Sequence, residues 1–200
     1  MDRPAELTKL SDEELALETA AGSRPCYEEL VCRYTPRMFH FLRPRVGSDQ
    51  ETEDLVQETF LKVYRNIERY NPEFKFSTWI YTTALRLAIS FYRSRKKPGT
   101  AQEPRSSDAS PEDIVIRKQE SQNIWALARR LKHRQYQTLW LRYAEDMSTR
   151  EIGEILRMTP GQVRVLLHRG RTNLARLYDR SGRVGDLTEG VAARQKAPLL

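Results

Sequence analysis

Asp54 and Glu58 stand four residues apart, one turn of a helix, and two carboxylates at that spacing can do one of two things. They can share a divalent cation for nucleic-acid cleavage, or they can offer a negative surface to a basic partner. No histidine and no further carboxylate motif converges on them by spacing, so the second reading is preferred. Asp54, Gln57, Glu58 and Leu61 then form one face of a helix that is open for recognition. A second set of chemically useful side chains lies near the other end of the chain. Arg164, His168 and Arg171 fall together on the outer face of a predicted helix, where arginine can read guanine edges in a bidentate manner or hold phosphates. His40, His133 and His168 are far apart in sequence, and Cys26 and Cys32 lack the spacing of a redox or zinc pair. No metal, cofactor or catalytic site is expected.

The elements that must position these groups are legible from caps and periodicity. Ser48 and Glu51 form a capping-box signature, and Val56, Phe60, Val63 and Ile67 draw an apolar stripe opposite Asp54, Gln57 and Glu58. The spacing predicts a helix from Ser48 to a stop at Asn71-Pro72. Phe74, Phe76 and Trp79 then crowd around Ser77, the expected N-cap of a helix whose buried side carries Ile80, Ala84, Leu87 and Phe91. Arg86 and Arg93 lie away from that stripe, and Arg95, Lys96 and Lys97 end the helix before Pro98-Gly99. Upstream, Ser11 to Glu14 is another capping box, Gly22 stops a short helix, and a longer helix runs from about Pro25 through Pro36 to Gly47. Its stripe of Tyr27, Leu30, Val31, Tyr34, Met38, Phe41 and Leu42 completes a first helical bundle.

Composition shifts sharply over 98–113, where prolines and serines replace large apolar residues, and this stretch reads as a flexible linker. A second domain is expected from Ile114. Ile124, Leu127, Ala128 and Leu131 form one stripe; Tyr136, Leu139, Trp140 and Tyr143 form another. Ser148 to Glu151 caps a short helix with Ile152, Ile155 and Leu156 inward, Arg157-Met158 turns the chain, and Thr159-Pro160-Gly161-Gln162 caps the next helix. Two helices, a tight turn and an arginine-bearing second helix describe a helix-turn-helix. The stretch 181–200 loses periodicity and is expected to be a mobile tail.

The 200 residues carry 34 Lys+Arg against 27 Asp+Glu, so the net charge of +7 sits on a mixed surface and favours a polyanionic partner without being polybasic. No apolar run approaches the roughly 20 residues that cross a bilayer, and Met1 to Pro4 lacks a signal-peptide core; a cytoplasmic protein without membrane insertion is expected.

The order of these parts resembles a bacterial sigma factor of the sigma-70 family, in the small extracytoplasmic-function group. Asp54 to Tyr64 resembles that family's core-polymerase-binding helix, and Phe76-Ser77-Thr78-Trp79-Ile80 its entry into the promoter-reading helix. Leu141-Arg142-Tyr143, Met147 to Ile152, Val163-Arg164 and Leu167-His168-Arg169 resemble the helix-turn-helix of its fourth domain. The resemblance implies an all-α fold with a second-region domain over 1–97, a linker over 98–113 and a fourth-region domain over 114–180.

It further implies that Asp54, Gln57, Glu58 and Leu61 meet the polymerase β′ coiled coil, with the β flap as a second contact, and that promoter DNA is the other partner. For the minus-ten element it points to the loop of Tyr70, Phe74, Lys75, Phe76 and Ser77 as the place where a flipped base is captured. Arg86, Arg93, Arg95 and Lys96 would hold the strand beside it. For the minus-thirty-five element it points to Arg150, Thr159, Gln162, Arg164, Val165, His168, Arg169 and Arg171. An anti-sigma protein that covers these surfaces is implied, and no catalytic site. The chain departs from the family pattern where Arg86 and Ser90 replace an asparagine and an aspartate, and where Val165 and Leu166 replace a serine and an arginine. Val165 lies off the buried stripe and suits a thymine methyl or a protein partner. The alternative is a helix-turn-helix regulator that binds duplex DNA without polymerase.

Overall fold

The computed structural model describes residues 6–95 and 124–180. The expected linker, the start at Ile114, Lys96 and the expected tail lie outside the described residues. Among the described residues all regular structure is helical. The first half contains α1 (Asp12–Ala20), α2 (Arg24–Val46), α3 (Asp49–Arg65) and α4 (Phe76–Arg95). The second contains α5 (Ile124–Ala128), α6 (His133–Tyr143), α7 (Thr149–Leu156) and α8 (Pro160–Arg180).

Local chemistry sets most of the boundaries. Ser11 and Glu14 cap each other's backbone at the start of α1, and Gly22 leaves the helical track at φ +101°. Helix α2 passes through Pro36 and Pro44 and ends at Gly47, whose φ of 86° suits a residue without a Cβ. The missing proline N–H groups are offset by packing, because Leu30, Tyr34, Met38, Phe41 and Leu42 are each almost wholly buried. Full burial of one such side chain contributes about 1.5–3 kcal/mol. Arg33 binds the preceding segment onto α2 by donating to the backbone oxygens of Leu7, Thr8 and Leu10 and to Asp12. Asp12 also accepts the Tyr34 hydroxyl at 2.6 Å.

Three expectations need correction. Helix α3 stops at Arg65 rather than running to Asn71, and a short 3-10 turn, Ile67–Arg69, follows. The Asn66 side chain causes the stop by donating to the Lys62 carbonyl at 2.8 Å, in competition with the helix ladder. Helix α4 begins at Phe76, so Ser77 lies inside the first turn; the Phe76 N–H is taken by Glu13 Oε1 of α1 at 3.0 Å. Tyr143, expected inward, is 48% exposed, and its hydroxyl oxygen accepts from Arg171 at 3.3 Å.

The halves are packed together. Helix α7 lies on α4, and α6 lies on α2. Helix α4 buries Tyr81, Leu85 and Ala88 in addition to the expected Ile80, Ala84 and Leu87, with the Tyr81 ring edge-on to Phe41 of α2 at 4.9 Å.

Candidate nucleic-acid and partner interface

Helix α3 turns Leu55, Val56, Phe60 and Val63 into the core and leaves Asp54, Gln57 and Glu58 exposed, with Leu61 at 53%. Tyr64 continues the same outer face, and its ring lies 4.7 Å from that of Tyr27 on α2. A ridge with carboxylates at one end and exposed apolar surface at the other can bind a basic, partly apolar helix surface. The pairing of Tyr64 with Tyr27 is invisible in the sequence, because periodicity gives the face of a helix and not its neighbour.

The aromatic loop is divided by burial. Phe76 is 0% exposed, with its ring edge-on to Tyr34 and Tyr70 at 5.4 and 5.6 Å. Tyr70 is buried too, and its hydroxyl donates to the Phe74 carbonyl at 2.6 Å. Desolvation, with a smaller contribution from Glu13, pushes the Tyr70 hydroxyl up to about 12. The expectation that Tyr70 and Phe76 face DNA is therefore corrected: both rings are consumed by the core. Phe74 is 58% exposed and points outward from a turn built by Asn71, whose side-chain oxygen accepts from the Glu73 N–H at 3.0 Å and whose carbonyl accepts from the Phe74 N–H at 3.1 Å. Lys75 is exposed beside it and Ser77 half-buried, while Trp79 is partly buried and packs against the core. Arg86, Ser90 and Arg93 are exposed on α4. Arg95 ends α4.

In the second half, α7 and α8 make the two helices of the expected motif. Ser148 and Glu151 cap each other's backbone. Burial pushes the Glu151 carboxyl up, but the hydrogen bonds from Ser148 and the Lys75 ammonium outweigh it and hold the group below the usual carboxylate range. The turn is closed by the Met158 N–H on the Gly153 carbonyl at 2.8 Å, with Arg157 left-handed at φ 54°. Thr159 and Gln162 then exchange bonds, the Thr159 N–H donating to Gln162 Oε1 at 2.9 Å and the Gln162 N–H to Thr159 Oγ1 at 3.3 Å. Val163, Leu167 and Gly170 are buried, whereas Arg150, Arg164, His168, Arg169 and Arg171 are exposed, with Val165 at 49%. Beyond the first turns of α8, Arg169 and Arg176 border a polar hollow shared with Gln135, His168, Thr172 and Asn173. This strip has the charge and shape to lie along a duplex.

Among the described residues no three His, Cys, Asp or Glu side chains gather as a metal set, and no helix is long and apolar enough to cross a membrane.

A helical protein that presents a helix-turn-helix with a basic outer face, and a separate acidic ridge for a partner, is defined by this geometry. The sigma-70 region 2 family matches residues 30–97, and the sigma-70 region 4 family matches residues 121–174. The chain belongs to the sigma-70 family of RNA polymerase sigma factors, in its extracytoplasmic-function group. It is 30% identical to the ECF RNA polymerase sigma factor SigW of Bacillus subtilis over 167 residues, covering 76% of this chain and 89% of that protein. It is likewise 30% identical to the RNA polymerase sigma factor CarQ of Myxococcus xanthus, covering 78% of this chain and 91% of CarQ. Among solved structures, CnrH in complex with the cytosolic domain of CnrY shares the fold with a TM-score of 0.62 at 20% identity, covering 84% of this chain and 97% of that one. RpoE in complex with the anti-sigma factor NepR from Bartonella quintana shares it with a TM-score of 0.58 at 17% identity, covering 76% and 96%.

Proposed function

We propose that this chain binds core RNA polymerase through the outer ridge of α3, carries it to a promoter, assists opening and then leaves. Asp54, Gln57 and Glu58 meet the basic β′ coiled coil, with Leu61 supplying apolar contact beside them. Phe74 stacks on a base flipped from the minus-ten element, with Lys75, Arg86, Arg93, Arg95 and Lys96 along the strand backbone. The outer face of α8, with Arg150 of α7, reads the minus-thirty-five element; there Arg164 and His168 flank Val165, which suits a thymine methyl. The β flap and an anti-sigma protein are the remaining partners. Polymerase performs the phosphoryl transfer, this chain contributes no catalytic group, and the place of action is the cytoplasm. The division into a first domain ending near Lys97 and a second beginning near Ile114 belongs to the same reading.

The observation that carries the proposal is the outward position of Asp54, Gln57, Glu58 and Leu61 on a helix whose opposite side is wholly in the core. A duplex-binding regulator that works without polymerase leaves this ridge and Phe74 without a role. The test is capture of core polymerase by the immobilised chain. Asp54→Arg with Glu58→Arg is expected to lower the bound fraction at least about tenfold while the thermal unfolding midpoint stays within a few degrees, since both residues are exposed. Undiminished capture by the double variant would place the contact elsewhere.

A further inference from the structure

The back half of α8 shares a hollow with α6 that lies beyond the turns assigned to base reading. Its volume is about 260 Å³, and Gln135 of α6 lines it with His168, Arg169, Thr172, Asn173 and Arg176 of α8, without a carboxylate among them. Gln135 is 8% exposed, and its Oε1 accepts from Asn173 Nδ2 at 3.2 Å. Asn173 Oδ1 accepts in turn from Arg176 Nη1 at 3.4 Å. A buried amide on one helix thus holds an exposed arginine on another through a single intermediate. The Thr172 hydroxyl donates to the His168 carbonyl at 3.1 Å. Both side-chain carbonyl oxygens of the hollow are engaged inside it, and the two guanidinium groups and the second N–H of Asn173 are left as donors. Neither Arg169 nor Arg176 pairs with a carboxylate among the described residues. A hollow that offers donors and two uncompensated cations suits an anion with several acceptor oxygens, and phosphate is such an anion.

Arg169 and Arg176 stand seven residues apart, two turns and about 10.5 Å along the axis, so both can reach one group seated between them. Position decides where that phosphate comes from. Arg164, on the base-reading face, and Arg176 are twelve residues apart, about 18 Å along α8. The major groove is only about 12 Å wide. A helix that enters it with Arg164 at base edges must carry Arg176 past the groove wall, and that wall is the phosphate backbone. His168 and Arg169 border the hollow and also belong to the outer face, so the hollow begins where the reading face ends.

We propose that the hollow seats one backbone phosphate at the edge of the minus-thirty-five element. Arg169 and Arg176 hold its oxygens, Asn173 adds a third donor, and Gln135 is a positioning residue that fixes Asn173 and, through it, Arg176. The seat reads no base. It sets the depth and angle at which α8 lies in the groove, and its contribution has the salt dependence of a phosphate contact. The inference rests on the reading of α8 as the duplex-binding helix, but the seat can be measured without polymerase.

The first measurement is the affinity of the free chain for a duplex of arbitrary sequence over a range of potassium chloride concentrations. Arg176→Gln, at an exposed position, is expected to weaken binding about tenfold at low salt and to reduce the slope of log affinity against log salt by about 0.9. The second uses the complex with core polymerase on a promoter selected by transcription, with a single neutral methylphosphonate linkage stepped along the minus-thirty-five backbone. One linkage should weaken wild-type binding about tenfold and have no effect on Arg176→Gln. Gln135→Leu should lose part of the sensitivity to that same linkage, a pattern that general destabilisation does not produce; if this buried substitution prevents folding, Asn173→Ala decides. An unchanged salt slope in Arg176→Gln, or the same set of sensitive linkages in the variant and the wild type, would overturn the seat. A loss confined to the polymerase complex would also overturn it and give the hollow to an acidic protein surface. Run-off transcription separates this inference from the sigma function. Transcription with an unchanged slope contradicts the seat alone, and the reduced slope without transcription on any promoter contradicts the sigma function alone.

Discussion

Phe74 and Phe76 are two residues apart and identical in type, yet they have opposite fates. Phe76 sits among Tyr34, Tyr70 and Trp79, with its N–H held by Glu13, while Phe74 is thrown outward by the Asn71 turn. Truncating them should separate stability from function. Phe76→Ala is expected to cost about 3–5 kcal/mol of unfolding free energy, the range for a buried phenylalanine. Phe74→Ala should leave the unfolding midpoint nearly unchanged and weaken capture of single-stranded minus-ten DNA by the polymerase complex about 5- to 150-fold, the equivalent of one lost stack of about 1–3 kcal/mol. Chemical denaturation and binding of a fluorescent minus-ten strand measure the two effects; a destabilised Phe74→Ala chain with normal strand binding would reverse the assignment. The sequence shows both rings crowding one loop, but the distinction depends on Glu13 and Tyr34, which lie 63 and 42 residues from Phe76 and have no local signature.

Helix α7 illustrates how far local rules reach. Its cap, its turn and the cap of α8 follow directly from Ser148, Glu151, Thr159 and Gln162, because side chain and backbone partner are three residues apart. Gly153 obeys a different constraint. By helix propensity alone, alanine there should stabilise by up to about 1 kcal/mol. In the folded chain a Cβ at Gly153 would lie 2.5 Å from the Met158 carbonyl oxygen, because the turn folds back onto this residue. Gly153→Ala should therefore destabilise the second half by about 1–3 kcal/mol, the usual range for overpacking, and reduce transcription that depends on the minus-thirty-five element. Thermal unfolding gives the sign at once: a raised midpoint would mean the turn can move aside. Helix α4 shows the converse difficulty. Its stripe of Ile80, Ala84 and Leu87 is read correctly, but Tyr81, Leu85 and Ala88 are buried too, Tyr81 with its ring against Phe41 of α2 and its hydroxyl on Trp140 of α6, and a single periodicity does not report a second neighbour.

The whole molecule combines a surface for a protein partner, a surface for DNA and a seam that holds its two halves together. The helical class, the helix-turn-helix and the exposed ridge of α3 are legible because each is encoded by residues within a turn or two of one another. The seam is not, since Arg37 and Glu145, which pair across it, are 108 residues apart and each, taken alone, reads as an ordinary surface charge. Tyr136 and Trp140 were legible as apolar residues of α6, but the sequence does not reveal that their polar atoms reach His40 and Tyr81 in the other half. This assembly turns core polymerase into a promoter-specific enzyme. Run-off transcription with purified core polymerase on a library of candidate promoters tests it most directly. Discrete transcripts that require the wild-type chain and vanish with Asp54→Arg plus Glu58→Arg are predicted. No chain-dependent transcript from any promoter, together with no association between the chain and core polymerase, would contradict it.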